Sequence, residues 1–235
     1  KTRSRSYKLT YYGLENEILP YKIERNECAQ NLVQIFDNFA YYKEDGSLSD
    51  GGFEIVTHPA TLDYWEQNIE KWQTLKEFCR SYKHPKCGLH IHISKTAFMD
   101  ELHLCKFILF FAKCQDFIEF IAQRSHNSYC KAEEYRDDPG IITTKIQKGS
   151  GDRYDCINLT NEKTVEVRVF KGNTLPERIL KNIQFCDSLI EYCKTAKLGR
   201  INTKCYLEYM AEKRKYKCLR DYLTNWSKGL DDQQG

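Results

Sequence analysis

At 235 residues, with 41% hydrophobic and 29% charged side chains, the chain has ordinary globular composition and enough length to bury a core without a metal or disulfide staple. Its 36 basic and 33 acidic groups leave a net charge of +3, too even a balance to select nucleic acid or an anionic membrane as partner. The longest apolar run, Phe107 to Ala112, is far short of a membrane-spanning helix. Eleven cysteines at irregular spacing, with no CxxC pair and no secretory leader pattern, read as reduced thiols of a soluble, cytoplasmic protein.

Along the chain, Tyr11 to Leu19 alternates as a strand. Asp45-Gly46 reads as a turn between Phe39–Tyr42 and the strand Gly52 to Thr57. Thr61 to Tyr82 carries Leu62, Trp65, Ile69, Trp72, Leu75 and Cys79 at three- and four-residue steps, the pattern of one amphipathic helix. Gly88 to Ser94 alternates again. Leu104, Phe107, Ile108, Phe111, Ile118 and Ile121 mark a second helix. The polar stretch from Ser125 to Asp152 reads as a long loop of the kind that carries function. Strands follow at Tyr154 to Leu159 and Thr164 to Phe170. Thr174-Leu175-Pro176-Glu177 has the form of a capping box with proline in the first turn, and Ile179 to Cys193 supplies the apolar stripe of a third helix. Tyr206 to Leu223 reads as a fourth. Because strands and helices do not alternate as βαβ units, an α+β fold with a largely antiparallel sheet is expected.

The chemistry lies on three strands. Residues two apart on a strand share a face, separated by about 6.6–6.8 Å. Glu15 and Glu17 therefore oppose Leu14 and Ile18, His90 and His92 oppose Leu89, Ile91 and Ile93, and Glu166 and Arg168 oppose three valines. Half-solvated antiparallel strands alternate in this way without any function. Here, however, the polar faces carry carboxylate pairs, an imidazole pair and a Glu-Arg pair rather than mixed surface residues. Two glutamates on one face repel unless a cation lies between them, and Mg²⁺ takes oxygen ligands of this kind. Cys87, His90 and His92 form a weaker zinc pattern that lacks an evident fourth ligand. Glu54, between Phe53 and Ile55, and Asp45 in the preceding turn are further acids for the same face.

The ordered segments Gly13-Leu14-Glu15-Asn16-Glu17, Gly52-Phe53-Glu54-Ile55-Val56-Thr57-His58-Pro59, Cys87-Gly88-Leu89-His90-Ile91-His92 and Val165-Glu166-Val167-Arg168-Val169-Phe170 resemble the amidoligase family. That family is grouped with glutamine synthetase and glutamate–cysteine ligase, and its members are often phage-borne or bacterial. The resemblance spans roughly residues 10 to 190. It implies an ATP-dependent carboxylate–amine ligase whose curved antiparallel sheet forms an active-site funnel backed by helices. The implied ligands of Mg²⁺ or Mn²⁺ are Glu15, Glu17, Glu54, His90, His92, Glu166 and Asp45. Arg168 matches an arginine facing transferred phosphate or substrate carboxylate, with Lys171, Arg153 and Arg124 as further nucleotide contacts. Asn16 departs from the family, which usually has an apolar or branched residue between the two glutamates. Residues 1–196 are then the catalytic domain, and residues 197–235 a basic, tyrosine-rich helical segment packed on it.

Such a reaction activates a carboxylate by phosphoryl transfer from ATP, giving an acyl phosphate that an amine attacks. Cations and a bidentate arginine suit the charge spread over the phosphoryl oxygens. Arg168, with Lys171 as helper, takes the stabilising role. Glu54 and Asp152 are both candidates for the base that deprotonates the amine. No Gly-x4-Gly-Lys-Ser/Thr loop occurs, so the commonest nucleotide cradle is excluded. The amine and carboxylate substrates fall among amino acids, peptides and small amines. Two readings compete: a metal-dependent hydrolase using His90, His92 and the glutamates, and an inactive ligase scaffold. The scaffold would bind protein or nucleic acid through the basic segments Thr2–Lys8 and Lys213–Arg220.

Overall fold

Alternating apolar residues place strand β1 (Tyr12–Pro20) at the middle of an antiparallel sheet in the computed structural model, which describes residues 9–44, 48, 51–82, 86–125, 139–148 and 155–231. The other strands are β2 (Ala40–Glu44), β3 (Phe53–Thr57), β4 (Cys79–Arg80), β5 (Gly88–Ser94), β6 (Ile157–Asn158) and β7 (Thr164–Lys171). Their order is β2-β3-β1-β5-β7-β6, with β4 pairing the end of β1. All these pairings are antiparallel. One face carries Tyr12, Leu14, Ile18, Phe53, Ile55, Leu89, Ile91, Ile93, Val165 and Val167, all buried in a continuous core.

The helices are α1 (Arg25–Phe36), α2 (Leu62–Asn68), α3 (Leu75–Phe78), α4 (Glu101–Lys113), α5 (Gln115–Ala122), α6 (Pro139–Lys148), α7 (Pro176–Thr195), α8 (Thr203–Ala211) and α9 (Lys217–Asp231). Helix α7 is central: it packs against α2, α4, α8 and α9, while α5 lies on β7. Among the described residues, no helix is long and apolar enough to cross a membrane.

The α+β architecture agrees with the sequence pattern, but several elements differ from it. The expected helix from Thr61 to Tyr82 is broken into α2, a 3-10 segment (Ile69–Thr74) and α3. It then gives way to β4, because Cys79 and Arg80 are recruited to the sheet opposite Pro20 and Leu19. The second expected helix divides into α4 and α5 at Cys114, whose backbone is not helical. The capping box at Thr174 does not form. Pro176 pre-sets the first helical residue, which leaves Leu175 at the cap, and Asn173 Oδ1 instead accepts from Leu175 N–H at 3.0 Å. The fourth expected helix is two, α8 and α9, with Asn202 capping the first through Cys205 N–H at 2.9 Å. Among the described residues, the strand expected over Tyr154 to Leu159 spans Ile157–Asn158, and α6 occupies part of the expected long loop. Helix α1 is absent from the sequence reading. The Asp45-Gly46 turn, Asp152 and the segment Thr2–Lys8 lie outside the described residues.

The C-terminal helices are anchored by burial. Tyr206 is fully buried with Phe110, Phe117 and Phe185, their ring centroids 5.2–6.5 Å apart. Asp187 on α7 accepts from Tyr12 O–H at 2.6 Å and Tyr216 O–H at 2.7 Å. One carboxylate thus ties the start of β1 to the segment before α9.

Candidate metal and ligase site

The face of the sheet opposite the core gathers the ionisable residues by register. Glu15 lies directly across from His90, and Glu17 across from Glu54. His92 lies across from Glu166, and Glu166 across from Asn158. A β-bulge between β5 and β7 then lets two β7 residues, Arg168 and Val169, span the position opposite His90. Arg168 Nη1 consequently sits 3.4 Å from His90 Nδ1 and forms an ion pair with Glu166.

His90 is the hub. Its Nδ1 is 3.6 Å from Glu15 Oε2 and 3.4 Å from Glu166 Oε1, and its Nε2 is 3.9 Å from Glu17 Oε1. Ligand atoms of Glu15, His90 and Glu166 all lie within 4.8 Å of one another. Two carboxylates and one imidazole at that spacing fit a single divalent cation, with oxygen donors suited to Mg²⁺ and the imidazole equally to Mn²⁺. Glu17, Glu54, His90 and Glu166 are all buried. A buried carboxylate is costly unless paired or coordinating metal.

The surrounding contacts orient these groups. Glu166 Oε2 accepts from Asn158 Nδ2 at 2.9 Å, and Glu17 Oε2 accepts from Gly88 N–H at 2.6 Å. His92 Nε2 is 3.3 Å from Glu15 Oε1, while its Nδ1 meets Thr164 Oγ1 at 3.2 Å. Lys43 Nζ pairs with Glu54 Oε2 at 3.3 Å. Burial pushes the Glu15 carboxyl up, but hydrogen bonds and charge from His90 and His92 outweigh it and hold Glu15 well below the usual carboxylate range. Burial alone would lower the His92 imidazole; its contact with Glu15, helped by Glu166, raises it instead. The Glu54 charge raises the Lys43 ammonium.

Six of the seven sequence-derived metal candidates therefore share this face: Glu15, Glu17, Glu54, His90, His92 and Glu166. His92 belongs to its edge, outside the Glu15–His90–Glu166 cluster. Lys171, at the end of β7, lies across from Gly88, and its ammonium is lowered by burial and by the Arg124 charge. Arg124 reaches the same end: a Cβ at Gly88 would stand 2.9 Å from its Nη1. Asp45 and Arg153 lie outside the described residues. Sequence reading missed Lys43 and Asn158. Asn158 had a signal, a polar residue between Ile157 and Leu159; Lys43 had none beyond its place in a strand arm.

An antiparallel sheet with helices behind it and a carboxylate–imidazole–guanidinium face defines an α+β protein with a candidate metal site. The sequence matches, over residues 21–190, the family described as "Putative amidoligase enzyme", so the chain belongs to that family. The match begins after β1, and strand register is what adds Glu15 and Glu17 to the matched residues. No curated protein matches the sequence. Among solved structures, the chain is similar to one from the crystal structure of the complex between the prokaryotic ubiquitin-like protein Pup and its ligase PafA. The identity is 10% and the TM-score 0.35, over 82% of this chain and 50% of that one, a likeness too low to carry an argument. The chain thus spans half the length of that solved relative.

Proposed function

We propose that the chain is an ATP- and Mg²⁺-dependent carboxylate–amine ligase that forms an amide bond through an acyl phosphate. The observation that carries this reading is the Glu15–His90–Glu166 cluster with Arg168 set beside it by the β7 bulge, in a member of the amidoligase family. Glu15, His90 and Glu166 would hold the cation, with Glu17 and Glu54 beside them. Mn²⁺ is the alternative ion. When bound, the cation neutralises phosphate charge and orients the transferring group.

The remaining work falls to the protein's own side chains. Arg168 presents a guanidinium to the anionic oxygens of the substrate carboxylate or transferring phosphoryl group, where a planar bidentate donor is most effective. Arg124 and Lys171 make a second cationic end near Glu17, suited to the nucleotide phosphates. Asn158 and Gly88 N–H hold Glu166 and Glu17 in place, so the cluster is organised before any ligand arrives. Glu54, paired with Lys43, is the described candidate for accepting the amine proton. A peptide or protein carboxylate is among the substrates this reading includes. The many buried thiols, Cys28 and Cys79 among them, suit a reducing cytoplasm.

The deciding experiment is calorimetric titration with Mg²⁺ and a non-hydrolysable ATP analogue. Metal-dependent nucleotide binding that Glu166→Ala and Arg168→Ala both weaken supports the ligase. A folded protein that binds no nucleotide with either Mg²⁺ or Mn²⁺ overturns it.

A further inference from the structure

Beside the metal cluster, a cleft of about 400 Å³ opens between β1, β3, β5 and the loop before β7. It exists because Gly13, which pairs with His92, puts no side chain into the row that holds Glu15 and Val56. Tyr11, Val56 and Pro59 give it an apolar wall. Most of its polar atoms are engaged within the protein. Thr57 Oγ1 accepts from Leu14 N–H at 2.9 Å, Ser94 Oγ from Tyr11 N–H at 3.1 Å, and Thr164 Oγ1 meets His92. Two charges of opposite sign line the same cleft. The Glu15 carboxylate, whose Oε2 faces His90 and whose Oε1 faces His92, lies at the end shared with the cluster. The exposed Lys163 lines the cleft from the loop before β7, which Asn161 Oδ1 holds by accepting from Lys163 and Thr164 N–H.

We propose that this cleft is the amine-donor pocket and takes a free amino acid with an apolar side chain. The ammonium points to Glu15, the carboxylate meets Lys163, and the side chain lies on Tyr11, Val56 and Pro59. A carboxylate and a lysine lining one largely apolar slot match a zwitterion and disfavour a simple alkylamine or a simple fatty acid. The assignment deepens the ligase reading and rests on it, because the cleft shares Glu15 with the cluster.

Equilibrium binding of three matched probes tests it, in the presence of Mg²⁺ and the ATP analogue. They are L-leucine, leucinamide (no carboxylate) and 4-methylpentanoate (no amine). Leucine is expected to bind, and each analogue about tenfold or more weaker, having lost one charged contact. Gly13→Val should abolish leucine binding. Its Cβ would meet only ordinary contacts, 3.7 Å from Thr57 O and 3.8 Å from His92 Cβ, and the two methyls beyond it are placed to fill the slot. An unfolding midpoint equal to that of the wild type checks that the strand is kept. Lys163→Ala, an exposed change, should weaken leucine and leave leucinamide unaltered. Leucine binding to Gly13→Val as tightly as to the wild type, or leucinamide matching leucine, overturns the pocket. So does nucleotide binding without binding of any probe, and that outcome leaves the ligase intact. Leucine binding without nucleotide binding overturns the ligase reading and shows the cleft to be an amino-acid site of another kind.

Discussion

Asn16 and Asn173, 157 residues apart, are joined by two hydrogen bonds in the core: Asn16 Nδ2 donates to Asn173 O at 2.8 Å, and Asn173 N–H donates to Asn16 Oδ1 at 3.3 Å. The residue between the two metal-face glutamates therefore points away from them, fully buried, and pins the turn from β7 into α7. Replacing it with leucine leaves both Asn173 backbone groups without that partner. Asn16→Leu should cost about 1–3 kcal/mol, read by urea denaturation.

Gly88 holds the site by having no side chain. Its N–H donates to Glu17, and an added Cβ would stand 2.9 Å from Arg124 Nη1 and 3.2 Å from His90 Nε2. The Arg124 tip is flexible, whereas His90 is buried among three glutamates. Gly88→Ala is expected to weaken Mg²⁺ binding about tenfold or more, the scale of a perturbed supporting shell. Calorimetry with Mg²⁺ checks this.

Metal binding should stabilise the fold. A cation that binds only the native state adds about 2.7 kcal/mol at one hundred times its dissociation constant. Thermal unfolding of the wild type should therefore move upward with Mg²⁺ or Mn²⁺, and chelation should reverse it. Glu166→Ala should erase the metal-dependent shift; persistence of the full shift in that variant would place the ion elsewhere.

Lys181 gives the protein a pH signature remote from the site. It is buried in α7, donates to Ile121 O and lies 4.4 Å from the centroid of the Tyr222 ring. Burial, with the Arg178 charge adding, pushes its ammonium well below the ordinary value of 10.5. Below 10.5 the unfolded chain carries a proton that the folded one does not. Stability therefore falls as pH is lowered from 10.5 towards the folded value, and levels off beneath it. The slope is at most about 1.4 kcal/mol per pH unit. Lys181→Met removes this dependence. Urea curves of both proteins at pH 7 and pH 10 should show the variant gaining relative to wild type at the lower pH; equal differences at both would contradict it.

Period and alternation in the sequence alone determined the fold class, the central strands and the faces on which Glu15, Glu17, His90, His92, Glu166 and Arg168 stand. These are local properties, set by side chains alternating every two residues on a strand. Helix boundaries were less legible: the stripe from Leu62 to Cys79 continues through a 3-10 segment and into β4, because sheet pairing with Leu19 and Pro20 competes with the helix. Only the tertiary structure decided which polar residues meet. Glu15 opposes His90 and Glu17 opposes Glu54 through register between segments 37 to 75 positions apart, which no local pattern encodes. The β7 bulge that sets Arg168 beside His90, the Lys43–Glu54 pair and the burial of Asn16 against Asn173 are likewise products of packing. Alternation assigns a residue to a face; the pairing of distant strands decides what it touches there.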